Sequence, residues 1–178
     1  MNAFLSGEKV YLRAISADDA TNEYLGWIND TETTKGLMTG TFPSNMGDLK
    51  TYLNRVSENS NTVMFAICVN DGDRHVGNIK LDNFDWVAGT AELGVLLGAK
   101  DAWGKGIGTE SCLLLLHYAF DQLNLRKVSL TVYDNNPGAI RLYEKIGFQT
   151  EGRLRNHIFA DGAYIDKLWM GIFKEELK

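Results

Sequence analysis

A glycine-rich segment at residues 103–109, with the sequence Trp-Gly-Lys-Gly-Ile-Gly-Thr, constrains this chain more than any other feature. It follows a predicted strand and runs into the apolar stretch at residues 112–116, which is typical of a buried helix. Three alternate glycines let the backbone turn tightly and come close to a ligand. The free N–H groups and the dipole at the helix start favour an anion there. The segment therefore predicts a strand, a tight turn and a buried helix around a phosphate or pyrophosphate group.

Two common phosphate-binding motifs fit this segment poorly. The P-loop of nucleoside triphosphatases requires four residues between its glycines and then Gly-Lys-Ser/Thr, which is absent here. The dinucleotide fingerprint Gly-x-Gly-x-x-Gly/Ala fails because Ser111 stands where the third glycine belongs. A nucleotide-dependent oxidoreductase is therefore a disfavoured alternative, and a turn selected only for its geometry is another.

Hydrophobic periodicity and capping signals divide the rest of the chain into strands and helices. Asn45 with Asp48 is a capping signal, and Asn136 before Pro137 is another. Helices are predicted after Ser16, after Asn45, and over residues 106–123 and 137–146, with a loop over residues 31–41. Strands are predicted over residues 9–15, 62–69, 75–84, 90–97, 127–133, 149–159 and 164–173. This order predicts one mixed α/β domain over residues 1–178, with an antiparallel meander in its middle.

Composition excludes several classes of function. The net charge of -5 argues against a nucleic-acid partner, which normally requires a basic patch. Attraction of a cationic substrate and simple solubility both explain the acidic balance. Cys68 and Cys112 lie in apolar runs and are predicted to be reduced core residues, and no metal-ligand spacing is present. Residues 1–7 lack the features of a signal peptide, so we expect a soluble cytoplasmic protein without a membrane partner.

Three segments together resemble the GNAT superfamily of acyl-CoA-dependent N-acetyltransferases. Gly106 and Gly108 match the glycines of the family's Arg/Gln-x-x-Gly-x-Gly/Ala motif, although Trp103 stands where Arg or Gln is usual. Residues 136–148 are similar to a second hallmark, an Asn seven residues before the Tyr of a Tyr-Glu-Lys-x-Gly-Phe ending. Residues 151–155 and 159–166 resemble the closing hairpin of the branch that includes ribosomal-protein N-terminal and spermidine acetyltransferases.

The resemblance implies a fold, a cofactor and a reaction. The fold is a mixed α/β, mostly antiparallel central sheet flanked by helices. The cofactor is acetyl-CoA, and its acetyl group passes to a primary amine by direct attack. A regulatory module that binds CoA without catalysis on the same fold is the alternative. A homodimer is the default expectation for such a chain.

Two residues are candidates for the proton transfers of this reaction. Tyr143 matches the family's tyrosine, which implies a proton donor to the departing thiolate. Tyr143 also shares a helical stripe with Ile140 and Ile146, so a purely structural aromatic is the competing interpretation. Glu92 lies on the strand before the glycine segment, where some members carry a base, but a solvent-facing glutamate in an alternating strand is equally consistent.

The resemblance also implies how the cofactor is held. The strand that ends at Leu97 should diverge from residues 127–133, offer backbone groups to the pantetheine arm, and present an N–H near Val95 to the thioester oxygen. Asn136 matches a frequent cofactor contact, although its role as a helix cap explains it as well, and Lys105 is either a phosphate partner or a solvated lysine. The candidate cofactor-binding residues are Val95, Leu96, Leu97, Trp103, Gly104, Lys105, Gly106, Ile107, Gly108, Thr109 and Asn136.

The sequence constrains the identity of the acceptor amine less than any other part of the reaction. By analogy its pocket lies between the first helices and the last hairpin, and the candidate residues are Trp27, Asn29, Glu32 and Asn83. A weak similarity around residues 27–30 favours an amino-sugar nucleotide, and the acidic balance favours a polyamine or other small amine. A peptide N-terminus is the third class, and the sequence leaves all three open.

Overall fold

The computed structural model describes residues 3–178 as one eight-stranded sheet with helices on both faces. The strand order is β1-β2-β3-β4-β5-β6-β8-β7, and all neighbours are antiparallel except β5 and β6. The strands are β1 (Leu5–Ser6), β2 (Val10–Ala14), β3 (Thr62–Val69), β4 (His75–Asp85), β5 (Thr90–Leu97), β6 (Lys127–Tyr133), β7 (Gln149–Ala160) and β8 (Ala163–Phe173). The predicted mixed α/β fold and its antiparallel meander are confirmed.

Four α-helices cover the sheet, two on each face. They are α1 (Asn22–Asn29), α2 (Met46–Glu58), α3 (Ile107–His117) and α4 (Pro137–Ile146). Tyr52 of α2 contacts Met64 of β3, whereas Tyr118 at the end of α3 packs against Phe65, the next residue along the same strand. Because successive side chains of a strand point to opposite faces, α2 and α3 cover opposite sides of the sheet.

Helix starts follow the capping signals in two places and depart from them in one. Asn45 accepts hydrogen bonds from two amides of α2, and Asn136 accepts one from Ala139 in α4. Ser16 and Asp19 do form a reciprocal cap, but it closes only a 3-10 turn, and α1 begins later, where Thr21 accepts a hydrogen bond from the Tyr24 amide. The short pairing of β1 with β2 was not predicted from the sequence.

The structure confirms the start of the helix predicted over residues 106–123, but the last part of that range is not α-helical. The α-helix stops at His117, and a π-helical turn covers Tyr118–Gln122. The core contains Cys112 and Leu115 from this helix and Cys68 from β3, all nearly inaccessible. Both cysteines are free, and burial raises the pKa of the Cys112 thiol to about 12, so it is an inert core thiol at neutral pH.

The strands β5 and β6 separate after a short parallel contact. Their pairing covers only Thr90–Glu92 of β5 and Lys127–Ser129 of β6, and then ends. The second half of β5 remains paired with β4 on its other edge. One edge of β5 is therefore left open inside the molecule, as the resemblance implied.

Among the described residues, no helix is long and apolar enough to cross a membrane. The same part of the chain contains no group of three or more His, Cys, Asp or Glu side chains placed to hold a metal ion.

Replacing Gly26 with alanine should stabilise the fold. Gly26 lies inside α1, and an added Cβ would meet nothing within 4 Å. Alanine restricts the unfolded chain without strain in the helix, so we expect a gain of about 0.4–1 kcal/mol in the free energy of unfolding, measured in urea. Gly98→Ala is the contrasting variant, because its Cβ would overlap the buried Trp27 ring, and it should unfold more easily. A lower stability for Gly26→Ala would contradict the packing around α1.

Candidate functional site

The glycine-rich segment forms a concave row of free backbone amides. Gly104 and Gly106 have φ values of 71° and 81°, in the left-handed region that suits glycine. The first helical hydrogen bond runs from the Glu110 amide to the Gly106 carbonyl. The N–H groups of residues 104–109 donate to no acceptor within the described chain, and we call this row the amide cradle. Successive free N–H groups at a helix start bind anions.

Two side chains fasten the amide cradle to its surroundings. The indole Nε1 of Trp103 donates to the Leu97 carbonyl at 2.8 Å, which ties the segment to the end of β5. The Lys9 ammonium donates to the Lys105 carbonyl at 3.1 Å. Lys9 thus places a positive charge beside the cradle, and sequence reasoning missed it because the residue lies far away along the chain. The tryptophan that departs from the family motif has a structural role here.

A cavity of about 790 Å³, which we call the long cleft, runs from the amide cradle along the open edge of β5. Its walls are the second half of β5, the start of α3, the end of β6, one side of α4 and the loop before α2. Of the predicted cofactor-binding residues, Val95, Leu96, Leu97, Trp103, Gly104, Gly106, Ile107, Gly108, Thr109 and Asn136 line it. Lys105 does not; its side chain is exposed outside the cleft. Ten of the eleven candidates are therefore brought together.

Tyr143 lines the long cleft from α4 and is only 8% exposed. Its ring packs edge-on against Phe148, with centroids 5.6 Å apart. Its hydroxyl makes no hydrogen bond to any residue in the described range, so it is available to a bound ligand. Burial, with a smaller contribution from Cys112, raises the pKa of Tyr143 well above its ordinary value of 10.0. The hydroxyl is a neutral donor at physiological pH.

Asn136 has a confirmed role as the cap of α4. Its Oδ1 accepts the Ala139 amide at 3.1 Å. Its Nδ2 faces Gly36, in the loop that closes over the cleft, so the loop and the helix start approach each other at this point. Gly36 and Leu37 both line the cleft, and this loop contribution was not anticipated.

A second cavity, of about 450 Å³, lies on the α1 and α2 side of the sheet, and we call it the side pocket. It is bounded by α1, α2, β3, β4, β5 and the loop between the helices. The position that the analogy suggested, against the closing hairpin, corresponds to a third cavity of about 320 Å³ between residues 31–41 and residues 157–161. The lining residues of the side pocket include Tyr24, Ile28, Leu49, Tyr52, Met64, Asn78, Lys80 and Gly94. Leu37, Val95 and Leu96 line both the side pocket and the long cleft, so the two meet at the unpaired half of β5.

The charged groups of the side pocket are already engaged. Lys80 lies across Gly94, where an added Cβ would be 3.0 Å from its Cε, and it forms an ion pair with Asp82. Asp48 accepts a hydrogen bond from the Asn45 amide at 2.9 Å as part of the cap of α2. The remaining surface is apolar or carries uncharged polar groups. The pocket therefore suits a ligand that is not strongly cationic along its whole length.

Glu92 lies at the fork where β5 leaves β6. It is opposite Asp82 on β4 and is paired with Ser129 on β6. By strand alternation its side chain points to the same face as Gly94, on the side-pocket face of the sheet. It is half-buried and lines neither cavity. Its position is next to the side pocket rather than inside it.

The four candidate acceptor residues lie outside the side pocket. Trp27 is a core residue whose ring packs on Gly98 and edge-on against His75. Asn29 holds the backbone of Ser44 through two hydrogen bonds, at 2.8 and 2.9 Å. Glu32 pairs with Lys100 at the rim of the long cleft, and Asn83 is an exposed residue of β4. The residue types alone could not show these positions, because the partners of Trp27, Asn29 and Glu32 are remote along the chain.

Known proteins with the same architecture carry a common description. Residues 9–149 match the family described as acetyltransferase (GNAT) domain. The uncharacterized N-acetyltransferase p20 of Bacillus licheniformis is 32% identical over 171 residues, which is 95% of each chain. Spermidine N(1)-acetyltransferase of Escherichia coli is 34% identical over 106 residues, 60% of this chain and 56% of that one. The crystal structure of Vibrio cholerae spermidine N-acetyltransferase with CoA and spermine superimposes with a TM-score of 0.86 at 25% identity, covering 96% and 98% of the two chains.

Proposed function

This chain belongs to the GNAT acetyltransferase family and transfers an acetyl group from acetyl-CoA to an amine, and we propose that the long cleft holds acetyl-CoA while the amine enters from the side pocket. One observation supports this assignment most strongly. The two cavities lie against one strand and share Val95 and Leu96, where that strand has no partner on its open edge. A thioester in one cavity and an amine in the other can meet there without a covalent enzyme intermediate.

The amide cradle is proposed to bind the diphosphate of acetyl-CoA. Six consecutive residues offer unpaired N–H groups, and the dipole of α3 adds positive potential at the same point. The ammonium of Lys9 increases that potential. The cofactor's pantetheine arm then follows the open edge of β5, and a β5 N–H near Val95 stabilises the negative charge that develops on the thioester oxygen.

Tyr143 is proposed to protonate the departing thiolate of CoA. Its hydroxyl has no hydrogen-bond partner among the described residues, faces the long cleft and stays protonated at neutral pH because burial raises its pKa. As the amine attacks, the C–S bond of the tetrahedral intermediate breaks, and the sulfur takes the proton from the phenol. The tyrosine is reprotonated afterwards by a second proton, which the nitrogen of the attacking amine loses as the amide forms.

The amine must lose a proton before it can attack. An alkylamine with a pKa near 10.4 costs about 4–5 kcal/mol to deprotonate at pH 7, whereas a peptide α-amine near 8 costs about 1 kcal/mol. Glu92, next to the side pocket, is proposed to accept that proton through a water molecule.

The variant Glu92→Gln should therefore slow acetyl transfer to some amines more than to others. It keeps the side chain's size and removes its charge, so we expect a larger loss of kcat/KM for an alkylamine than for a peptide α-amine. Rates measured from pH 6 to 10 on both amines test this, since the alkylamine should recover at high pH, where it is already neutral. Asp85→Asn, at an exposed carboxylate on the end of β4, is the control. Equal rates for Glu92→Gln and the unaltered enzyme on every amine would remove Glu92 from the mechanism.

The transfer itself is tested with acetyl-CoA and a panel of amines, followed by the release of free CoA thiol. The panel contains a peptide with a free N-terminus, an amino sugar, an amino-sugar nucleotide, spermidine and a simple alkylamine. Turnover with at least one amine is the expected result. Binding of acetyl-CoA in a titration, without thiol release above the hydrolysis rate for any amine, would favour the non-catalytic module instead.

The homodimer and the cytoplasmic location stay predictions. Light scattering during size-exclusion chromatography would measure the first, and a mass of one chain, 19.9 kDa, would contradict it.

A further inference from the structure

Asn78 carries the one buried side-chain polar atom without a partner among the residues that the structure describes. The side chain lies on β4, is 2% exposed and lines the side pocket. Its Oδ1 is 3.0 Å from Nε2 of His75, but its Nδ2 has no hydrogen-bond acceptor. A buried N–H group left unpaired is costly, and such groups in native proteins are normally explained by a ligand, a water or a functional role.

The neighbouring histidine fixes which way this amide points. Nε2 of His75 also lies 2.9 Å from the Gly77 carbonyl, which can only accept a hydrogen bond. Nε2 must therefore carry a proton, and the atom of Asn78 that faces it must be the oxygen. The amide nitrogen is consequently turned away from His75, and it belongs to a residue on the pocket wall.

His75 itself is held in place from several sides. Its ring packs edge-on against Tyr24 and Trp27 of α1, with centroids 5.9 and 5.2 Å away. Its Nδ1 is 3.7 Å from the Asp19 carboxylate, which is itself paired with Arg13. Burial lowers the pKa of His75, so the ring is neutral at pH 7 and donates one proton from Nε2. The orientation of Asn78 is thus set before any ligand arrives.

We propose that the Nδ2 group of Asn78 donates a hydrogen bond to an uncharged oxygen of the acceptor, and that the enzyme prefers amines with a carbonyl or hydroxyl near the reactive nitrogen. This inference rests on the proposed function, because it assumes that the acceptor occupies the side pocket. It names a specificity-determining residue and a substrate class. Amino sugars and peptide α-amines share the required chemistry, whereas alkyl polyamines do not.

The other groups of the side pocket also favour an oxygen-bearing amine over a polyamine. A polyamine is protonated at neutral pH and offers only donors, so it would leave the Asn78 amide unpaired. It would also approach the ammonium of Lys80, which lies over Gly94 in the same pocket. Of the carboxylates that could attract it, Asp48 and Asp82 are occupied by a helix cap and by that lysine, and Glu92 lies next to the pocket rather than inside it.

Matched amines test the proposal in the unaltered enzyme. The pairs are glucosamine with cyclohexylamine, an amino-acid amide with the alkylamine of the same length, and ethanolamine with propylamine, and spermidine is measured alone. An oxygen near the nitrogen lowers the pKa of an amine, so kcat/KM is here and below referred to the concentration of neutral amine at each pH. On that basis we expect it to be at least about tenfold higher for the oxygen-bearing member of one pair, because a site built to donate to an oxygen discriminates strongly against its absence. The pair that shows the preference distinguishes an amino sugar from a peptide amine.

Variants then assign the preference to Asn78. Asn78→Leu keeps the size of the side chain and removes the donor, so the ratio of kcat/KM within the preferred pair should fall towards one without a rise in KM for acetyl-CoA. Asn78→Asp replaces the donor with an acceptor and should shift the preference towards spermidine. If Asn78→Leu fails to fold, Asn78→Asp and the measurements on the unaltered enzyme still decide the question.

Two results would overturn the role of Asn78. One is equal kcat/KM for oxygen-bearing and plain alkylamines in the unaltered enzyme. The other is an Asn78→Leu variant that loses acetyl-CoA affinity and keeps the discrimination, which would place the amide against the cofactor. Both outcomes leave acetyl transfer intact, whereas the absence of thiol release with every amine would overturn the proposed function itself.

Discussion

Tyr143→Phe should lower kcat by about 10²- to 10⁴-fold, the usual contribution of a positioned general acid. The change deletes one hydroxyl, which makes no hydrogen bond to the described residues, and it keeps the ring that packs on Phe148. We therefore expect little change in the melting temperature and little change in the affinity for CoA. Steady-state kinetics with acetyl-CoA, together with a CoA titration, separate the chemical step from binding.

The control for this prediction is Tyr118→Phe. Tyr118 lies at the end of α3, packs on Phe65 and lines neither cavity, so the same deletion there should leave kcat unchanged. A Tyr143→Phe enzyme that turns over at the unaltered rate would leave Tyr143 as a structural aromatic only, which is the competing interpretation.

The pH dependence gives an independent check on the same residue. Burial raises the pKa of Tyr143 above 10.0, so the phenol stays protonated as pH rises through that value. The rate should therefore not fall near pH 10 through loss of this proton, and the amine's deprotonation should increase it over the same range. A decline in kcat with an apparent pKa near 10, present in the unaltered enzyme and absent from Tyr143→Phe, would contradict the buried, neutral state.

Much of the fold could be predicted because its signals are local. The caps at Asn45 and Asn136 each depend on neighbouring residues, and the structure confirms them. The start of α1 was misplaced because Ser16 and Asp19 satisfy the same capping pattern as a true helix start. The separation of β5 from β6 is long-range, and only the family resemblance anticipated it.

The candidate site also has a local part, which the sequence could predict, and a part assembled from distant segments, which it could not. The amide cradle is one continuous segment, so its glycines could be read directly from the sequence. The side pocket is assembled from two helices and three strands, and its walls depend on strand register. Trp27 resembled a ligand-binding aromatic because its partner, Gly98, is remote in sequence. Asn78 gave no sequence signal, since only the neighbouring His75 and the pocket make its free amide visible.

Gly106→Ala should raise the dissociation constant of CoA by at least about tenfold, which corresponds to about 1.4 kcal/mol. Gly106 has a φ of 81°, which L-residues rarely adopt, and the Cβ of an alanine would lie 3.2 Å from the Lys9 ammonium. The Lys9 side chain can move away, but the backbone must shift to relieve the strained φ, and the amides of the cradle then lose their common direction. A single hydrogen bond to a charged group contributes about 1.5–3 kcal/mol, so misdirecting one N–H is enough for the expected loss. Isothermal titration with CoA measures it.

Gly162→Ala is the matched control for that measurement. Gly162 has a φ of 79° in the closing hairpin, almost the same as Gly106, and an added Cβ there meets nothing within 4 Å. Both variants therefore carry a similar backbone strain of about 1–2 kcal/mol, but only one lies in the amide cradle. We expect Gly162→Ala to lose stability without losing affinity for CoA. If the two variants bind CoA equally well, the diphosphate is held elsewhere, because the strain is then common to both and the cradle makes no difference.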